Sequence, residues 1–102
     1  MDIQTCAGRL RDKAQASPNG DVGLTATLKF DCGADGAIFL DSKTVPNQVT
    51  LDSREADCTV SIALADLGAL LDGKLNPTNA FMTGKLKVSG DMGVALKLQR
   101  LV

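Results

Sequence analysis

Histidine, tryptophan and tyrosine are absent from this chain of 102 residues. Without histidine there is no usual general base, no usual zinc ligand and no Ser–His or Cys–His pair. The aromatic complement is three phenylalanines, too few to stack bases, so no nucleic acid is expected as a partner. Cysteine is also scarce. Cys6, Cys32 and Cys58 stand apart with no CxxC, and an odd number argues against a complete set of internal disulfides. They read as reduced, structural thiols. A nucleophilic role for any of them would need an activating base that the sequence lacks.

Other absences narrow the class further. No apolar run approaches the roughly 18 residues that a membrane span requires. Met1-Asp2-Ile3-Gln4 is neither basic nor apolar, so no signal peptide is read there. The final Arg100-Leu101-Val102 is not a tripeptide of the Ser-Lys-Leu type. A cytoplasmic location is therefore expected. There is no G-x-x-x-x-G-K-[ST] phosphate loop, and no cofactor is expected. Glu55 and Asp57 form a carboxylate pair only on paper. They sit in a polar connection and read as solvated groups rather than an acid and a base. The chain is not expected to be an enzyme.

What remains is packing and turning. The length suits one domain, residues 1–102, with a modest core. The composition is 44% apolar, as in globular proteins generally. Formal net charge is only −1, but its distribution is uneven. Residues 31–72 carry eight acidic and two basic groups. Residues 74–102 carry Asp91 alone against Lys74, Lys85, Lys87, Lys97 and Arg100. A basic half can meet lipid phosphates, or it can be a solvated face that keeps the chain dissolved.

Hydrophobic periodicity orders the elements. Ile3, Cys6 and Leu10 predict an amphipathic helix over 2–16, and Ser17-Pro18-Asn19-Gly20 ends it. Val22, Leu24, Ala26, Leu28 and Phe30 alternate with polar residues, which predicts a strand over 22–31. Asp35-Gly36 turns the chain into a second strand over 37–40. Val49 and Leu51 mark a third strand. Cys58, Val60, Ile62 and Leu64 mark a fourth. Short strands with short connections predict an antiparallel sheet. The period then changes. Asp66 is read as an N-cap, followed by Leu67, Leu70 and Leu71, with Gly73 closing the helix. Asn76-Pro77 opens another helix, which stops at Gly84. A fifth strand spans 85–89 with Leu86 and Val88 inward. Asp91 caps a last helix that runs to the C-terminus.

That last helix has two apolar stripes, Met92–Ala95–Leu96 and Val94–Leu98–Leu101. A helix apolar on two sides is buried on two sides. One stripe can pack on the sheet while the other lines a cavity. Alternatively both are core, or one is a dimer contact. A lipid site needs only a continuous apolar surface that the fold leaves loosely filled, because each methylene leaving water contributes about 0.8 kcal/mol. Unbranched and small side chains suit it because they repack around different ligands. Leu67, Leu70, Leu71, Phe81, Met82, Met92, Ala95 and Leu96 are candidates from the helices. Leu28, Phe30, Val60 and Ile62 are candidates from the sheet. Lys85, Lys87 and Lys97 are candidates for headgroup or membrane contact.

The segment from Glu55 to Leu101 is similar to the sterol carrier protein 2 family. The likeness rests on Ala56-Asp57-Cys58-Thr59, Gly73-Lys74-Leu75-Asn76-Pro77, Ala80-Phe81-Met82, Gly84-Lys85-Leu86-Lys87-Val88 and Gly90-Asp91-Met92-Gly93, in that order. The resemblance implies an α+β fold. In it, a five-stranded, mostly antiparallel sheet carries helices on one face and encloses an apolar tunnel. It implies broad binding of fatty acid, fatty acyl-CoA, phospholipid or sterol, with transient membrane contact. An alternative is an interaction module assisting an enzyme of lipid or quinone metabolism, its cavity vestigial. Oligomeric state is left open, a homodimer included.

Overall fold

A computed structural model describes residues 2–20, 23 and 25–97. Helix α1 runs Ile3–Ala16. Asp2 caps it, its side chain accepting from the Thr5 N–H at 2.8 Å, which satisfies one of the donors every helix start leaves over. Cys6, Ala7, Leu10 and Ala14 are its buried face. The strands are β1 (Thr27–Asp31), β2 (Ala37–Asp41), β3 (Gln48–Thr50), β4 (Cys58–Ile62) and β5 (Leu86–Gly90). Helix α2 is Leu64–Leu71, α3 is Pro77–Met82 and α4 is Met92–Lys97.

The sheet has the order β3-β2-β1-β4-β5. Only the central β1–β4 pair is parallel. The other three pairs are antiparallel, so the expected mostly antiparallel α+β fold is what forms. Register puts like with like. Leu28 faces Leu40 and Cys58, and Phe30 faces Ile38 and Val60. Val60 faces Val88, and Ile62 faces Leu86. Because strand side chains alternate, this pairing builds one continuous apolar face. The helices cover it, with α1 against β2 and β3, and α4 against β4 and β5. The opposite face is polar apart from Ala37 and from Phe39, which the guanidinium of Arg54 covers at 4.6 Å.

Three sequence expectations need correction, and a fourth falls outside the described residues. The first strand begins at Thr27 rather than residue 22. Gly23 and Thr25 have φ of +83° and +52°, in the left-handed region, so the backbone is not extended there. Val22 and Leu24 lie outside the described residues. The third strand ends at Thr50, and Leu51 stands half-exposed beyond it. Helix α2 starts at Leu64, with Ala63 in the cap position, so Leu64 leaves the fourth strand and Asp66 lies inside the first turn. There its carboxylate complements the positive helix end rather than capping it. The last helix is described to Lys97, and its expected continuation through Leu98 and Leu101 lies outside the described residues.

Asp57 fastens the centre of this arrangement. Its carboxylate accepts from the Thr27 N–H at 3.1 Å and pairs with Lys43 at 3.2 Å. Its own N–H donates to the Thr27 hydroxyl at 2.8 Å, and its carbonyl accepts from the Asp91 N–H at 2.8 Å. It thereby ties β1, the loop after β2 and the start of α4 to β4. Gly90 is required beside it, since a Cβ there would come within 2.5 Å of the Asp57 carbonyl oxygen, at φ +100°. The Thr27 N–H, then Lys43, holds the Asp57 carboxyl below its ordinary value. A lowered folded-state value contributes stability above the unfolded value, and that contribution is lost as pH falls through the folded one. Asp57→Asn should therefore lower the melting temperature at about pH 7, and the difference from wild type should vanish by about pH 2. Thermal melts at both pH values check this.

Candidate functional site

The core and the apolar surface part company at β5. Over β1, β2 and β4 the inward side chains are buried in one cluster with the apolar faces of α1 and α2. Helix α1 is pinned to α2 by the ion pair of Arg9 with Asp72. At β5 the cover is thinner. Asn76 caps α3, accepting from the Thr78 N–H at 2.8 Å, and Pro77 sets its first turn. The helix then buries Ala80 alone. Helix α4 starts where the Asp91 carboxylate accepts from the Gly93 N–H at 2.8 Å, and of its residues Val94 alone is buried. Short α3 and the described part of α4, each burying one residue, leave a groove between them and the edge strand.

The groove has a volume of about 150 Å³ and is lined by Pro77, Thr78, Phe81, Leu86, Val88, Met92, Ala95 and Leu96. Only Thr78 brings a polar side chain. Around it stand large apolar residues in contact with solvent: Phe81 is 52% exposed, Met82 77%, Met92 52% and Leu96 72%. The same alternation that sends Leu86 and Val88 into the groove sends Lys85 and Lys87 to the other side of the sheet. There they border a shallow depression with Asp31 and Ser61.

The structure thus divides the sequence candidates. Phe81, Met92, Ala95 and Leu96 come together in the groove. Leu28, Phe30, Val60, Ile62, Leu67, Leu70 and Leu71 are all buried in the core cluster, and none of them lines the groove. Met82 stands outside it, next to Phe81. Lys97 lies in the last described turn of α4. Pro77, Thr78, Leu86 and Val88 join the lining without having been singled out for it. Leu86 and Val88 were legible as inward residues of a strand, but their place at the sheet edge comes only from the strand order.

No candidate chemistry gathers elsewhere among the described residues. The three thiols are buried, and loss of solvent pushes each of them up. Cys32 reaches about 11, with the charges of Cys6, Asp31 and Asp35 adding to its burial. A thiol so placed stays protonated and inert at neutral pH. Among the described residues no group of histidine, cysteine or carboxylate side chains could hold a metal ion. None of the described helices is long and apolar enough to cross a membrane.

Comparison with known proteins gives the fold and site a lineage. The sequence profile of the SCP-2 sterol transfer family matches residues 8–102. Sterol carrier protein 2 of Gallus gallus is 47% identical over 70 residues, which is 68% of this chain and 13% of that protein. Hydroxysteroid dehydrogenase-like protein 2 of Bos taurus is 41% identical over 81 residues, 76% of this chain and 19% of that protein. This chain therefore spans a small part of the length of either relative. The solution structure of palmitated SCP2L2 from Aedes aegypti superposes with a TM-score of 0.73 at 25% identity, covering 99% of this chain and 94% of that one. With the family profile matched from residue 8 to the last, on a sheet and helix order shared with a solved relative, the chain belongs to the SCP-2 sterol transfer family, a family of lipid-binding and lipid-transfer domains.

Proposed function

We propose that this chain carries a lipid without transforming it, and that the groove between α3, α4 and β5 is where the acyl chain lies. The observation that carries this reading is the groove itself. It is apolar on every side but Thr78, and it lies where the core stops short of the sheet edge. A fatty acid, fatty acyl-CoA, phospholipid or sterol would gain its affinity from methylenes leaving water, each contributing about 0.8 kcal/mol. That term discriminates poorly between ligand classes, so broad specificity is the expected behaviour. The palmitated relative from Aedes aegypti favours an acyl chain as the occupant. The inert thiols, the absence of histidine and the apolar lining favour carriage over chemistry.

The volume sets a condition. Small-molecule sites run from about 300 to 1,000 Å³, and the groove holds about 150 Å³. It accepts part of a long acyl chain as it stands. To enclose the rest as a tunnel, α4 must move away from β4 and β5. With one buried anchor among its described residues, Val94, it is held no more firmly than α3, which buries Ala80.

The test is titration with a fluorescent fatty acid, followed by competition with acyl-CoA, phospholipid and sterol. Saturable binding at one ligand per chain is expected, at micromolar affinity or tighter, about −8 kcal/mol. If the folded protein binds none of the four classes saturably, the carrier reading is wrong.

A further inference from the structure

We infer that β5 is the seam of a symmetric dimer, in which the β5 of a second copy pairs antiparallel with it, centred on Val88, and extends the floor of each groove. The pairing stands on the backbone, and its bearing on ligand rests on the carrier reading. The sheet has two edges, and the protein treats them differently. At β3, Arg11 of α1 donates its Nε–H to the Val49 carbonyl at 3.2 Å, so the chain covers that edge itself. At β5 the ladder has a readable phase. The Asp91 N–H donates to the Asp57 carbonyl at 2.8 Å, which makes Ser89 with Thr59 and Lys87 with Ser61 the hydrogen-bonded pairs. The N–H and C=O groups of Leu86, Val88 and Gly90 therefore point away from the sheet. Among the described residues, none bonds to them there. Such an edge is a template for another strand.

Self-complementarity selects a second copy as that strand. With these outward groups, two-fold pairing can be centred on Lys87, Val88 or Ser89. Lysine on an edge discourages pairing, and centring on Lys87 would set two ammonium groups directly opposite each other. Centring on Ser89 would leave Leu86 without a strand partner. Centring on Val88 uses the whole strand. Leu86 then meets Gly90, Val88 meets its own counterpart, and Lys87 meets Ser89. Leu86 and Val88 lie on the groove side, so the apolar floor crosses the seam, and Gly90 brings no side chain to block it. The helices of both copies share one face of a continuous sheet. Phe81, Met92 and Leu96, each more than half exposed at the groove, gain apolar neighbours there. A groove of about 150 Å³ falls short of an enclosing site by itself. The second copy supplies apolar wall beyond the sheet edge.

Analytical ultracentrifugation across a concentration series tests this. Wild-type protein should sediment as a reversible dimer. Ser89 is exposed and lies outside the groove, so its variants should fold normally. Because each Ser89 faces Lys87 of the other copy, Ser89→Asp should tighten the dimer about fivefold and Ser89→Lys weaken it about fivefold. Val88→Pro removes an outward N–H and none that β4 uses, so it should weaken the dimer about tenfold or more in a chain that still folds. Where wild type is dimeric and Ser89→Lys monomeric, the variant should take up a fluorescent fatty acid about fivefold more weakly. Wild-type protein that stays monomeric throughout the series would overturn the inference, as would a dimer indifferent to both Ser89 substitutions. A dimer whose loss leaves uptake unchanged would overturn the extended groove floor. A dimer that takes up no fatty acid would sink the carrier reading and leave the seam standing, and a monomer that takes it up would do the reverse.

Discussion

Filling the groove from its α4 side abolishes lipid uptake: Ala95→Trp should lower the affinity for a fluorescent fatty acid about a hundredfold, equivalent to about 2.8 kcal/mol. Ala95 is half-buried on α4 and lines the groove opposite Leu86 and Val88. An indole in place of its methyl group occupies much of a space of about 150 Å³. The added ring meets apolar side chains rather than an unpaired polar group, and the groove is open on one side, so the fold should survive. The overpacking cost of 1–3 kcal/mol seen in closed cores is an upper limit here. A thermal melt close to wild type, combined with lost uptake, separates blockage from unfolding. Ala95→Ser, which keeps the volume, should bind nearly as wild type. Undiminished uptake by Ala95→Trp would move the ligand out of this groove altogether.

Most of the fold was legible in the sequence because its elements announce themselves by local chemistry. Alternation in residues 27–31 and 58–62 fixes strands, Asn76-Pro77 fixes the start of α3, and Gly73 and Gly84 take up the left-handed conformations expected where helices close. The errors came where two signals competed. Val22, Leu24 and Ala26 continue the alternation of β1, but Gly23 and Thr25 turn the backbone before the sheet begins. Asp66 is a good capping residue three places too late, because Leu64, which continues the alternation of β4, already opens α2.

The site was less legible for a more general reason. Periodicity says which way a side chain points, not what lies opposite it. Phe30 and Val88 are both inward residues of strands, and nothing in their immediate sequence distinguishes them. The difference is their place in the sheet order, since β1 is central and β5 is an edge. Over the centre, long α1 and tightly packed α2 close the space. Over the edge, six-residue α3 and the described residues of α4 do not. Sheet order depends on β4 returning to lie parallel to β1, a long-range pairing that local pattern cannot reveal.

The second large prediction follows from that division. Phe30→Ala should destabilise the fold by about 3–5 kcal/mol, the usual range for removing a buried phenyl ring. Phe30 has no exposed surface and lies on the central strand between Ile38 and Val60. Domains of this size are stable by about 5–15 kcal/mol. The loss should lower the melting temperature by about 12–40 °C, at roughly 4–8 °C per kcal/mol. Phe30→Leu, which keeps most of the volume, should cost much less. The informative comparison is with Ala95→Trp. If Phe30 is core and Ala95 is site, the two substitutions act on different quantities. Phe30→Ala should lower stability while the protein that remains folded binds fatty acid with affinity within about threefold of wild type. Ala95→Trp should do the reverse. If Phe30→Ala instead abolished uptake at little cost to stability, the acyl chain would run beneath α1 and α2 against the central strands. The sheet residues Leu28, Phe30, Val60 and Ile62 would then be the ligand surface, and the α3–α4 groove only its mouth.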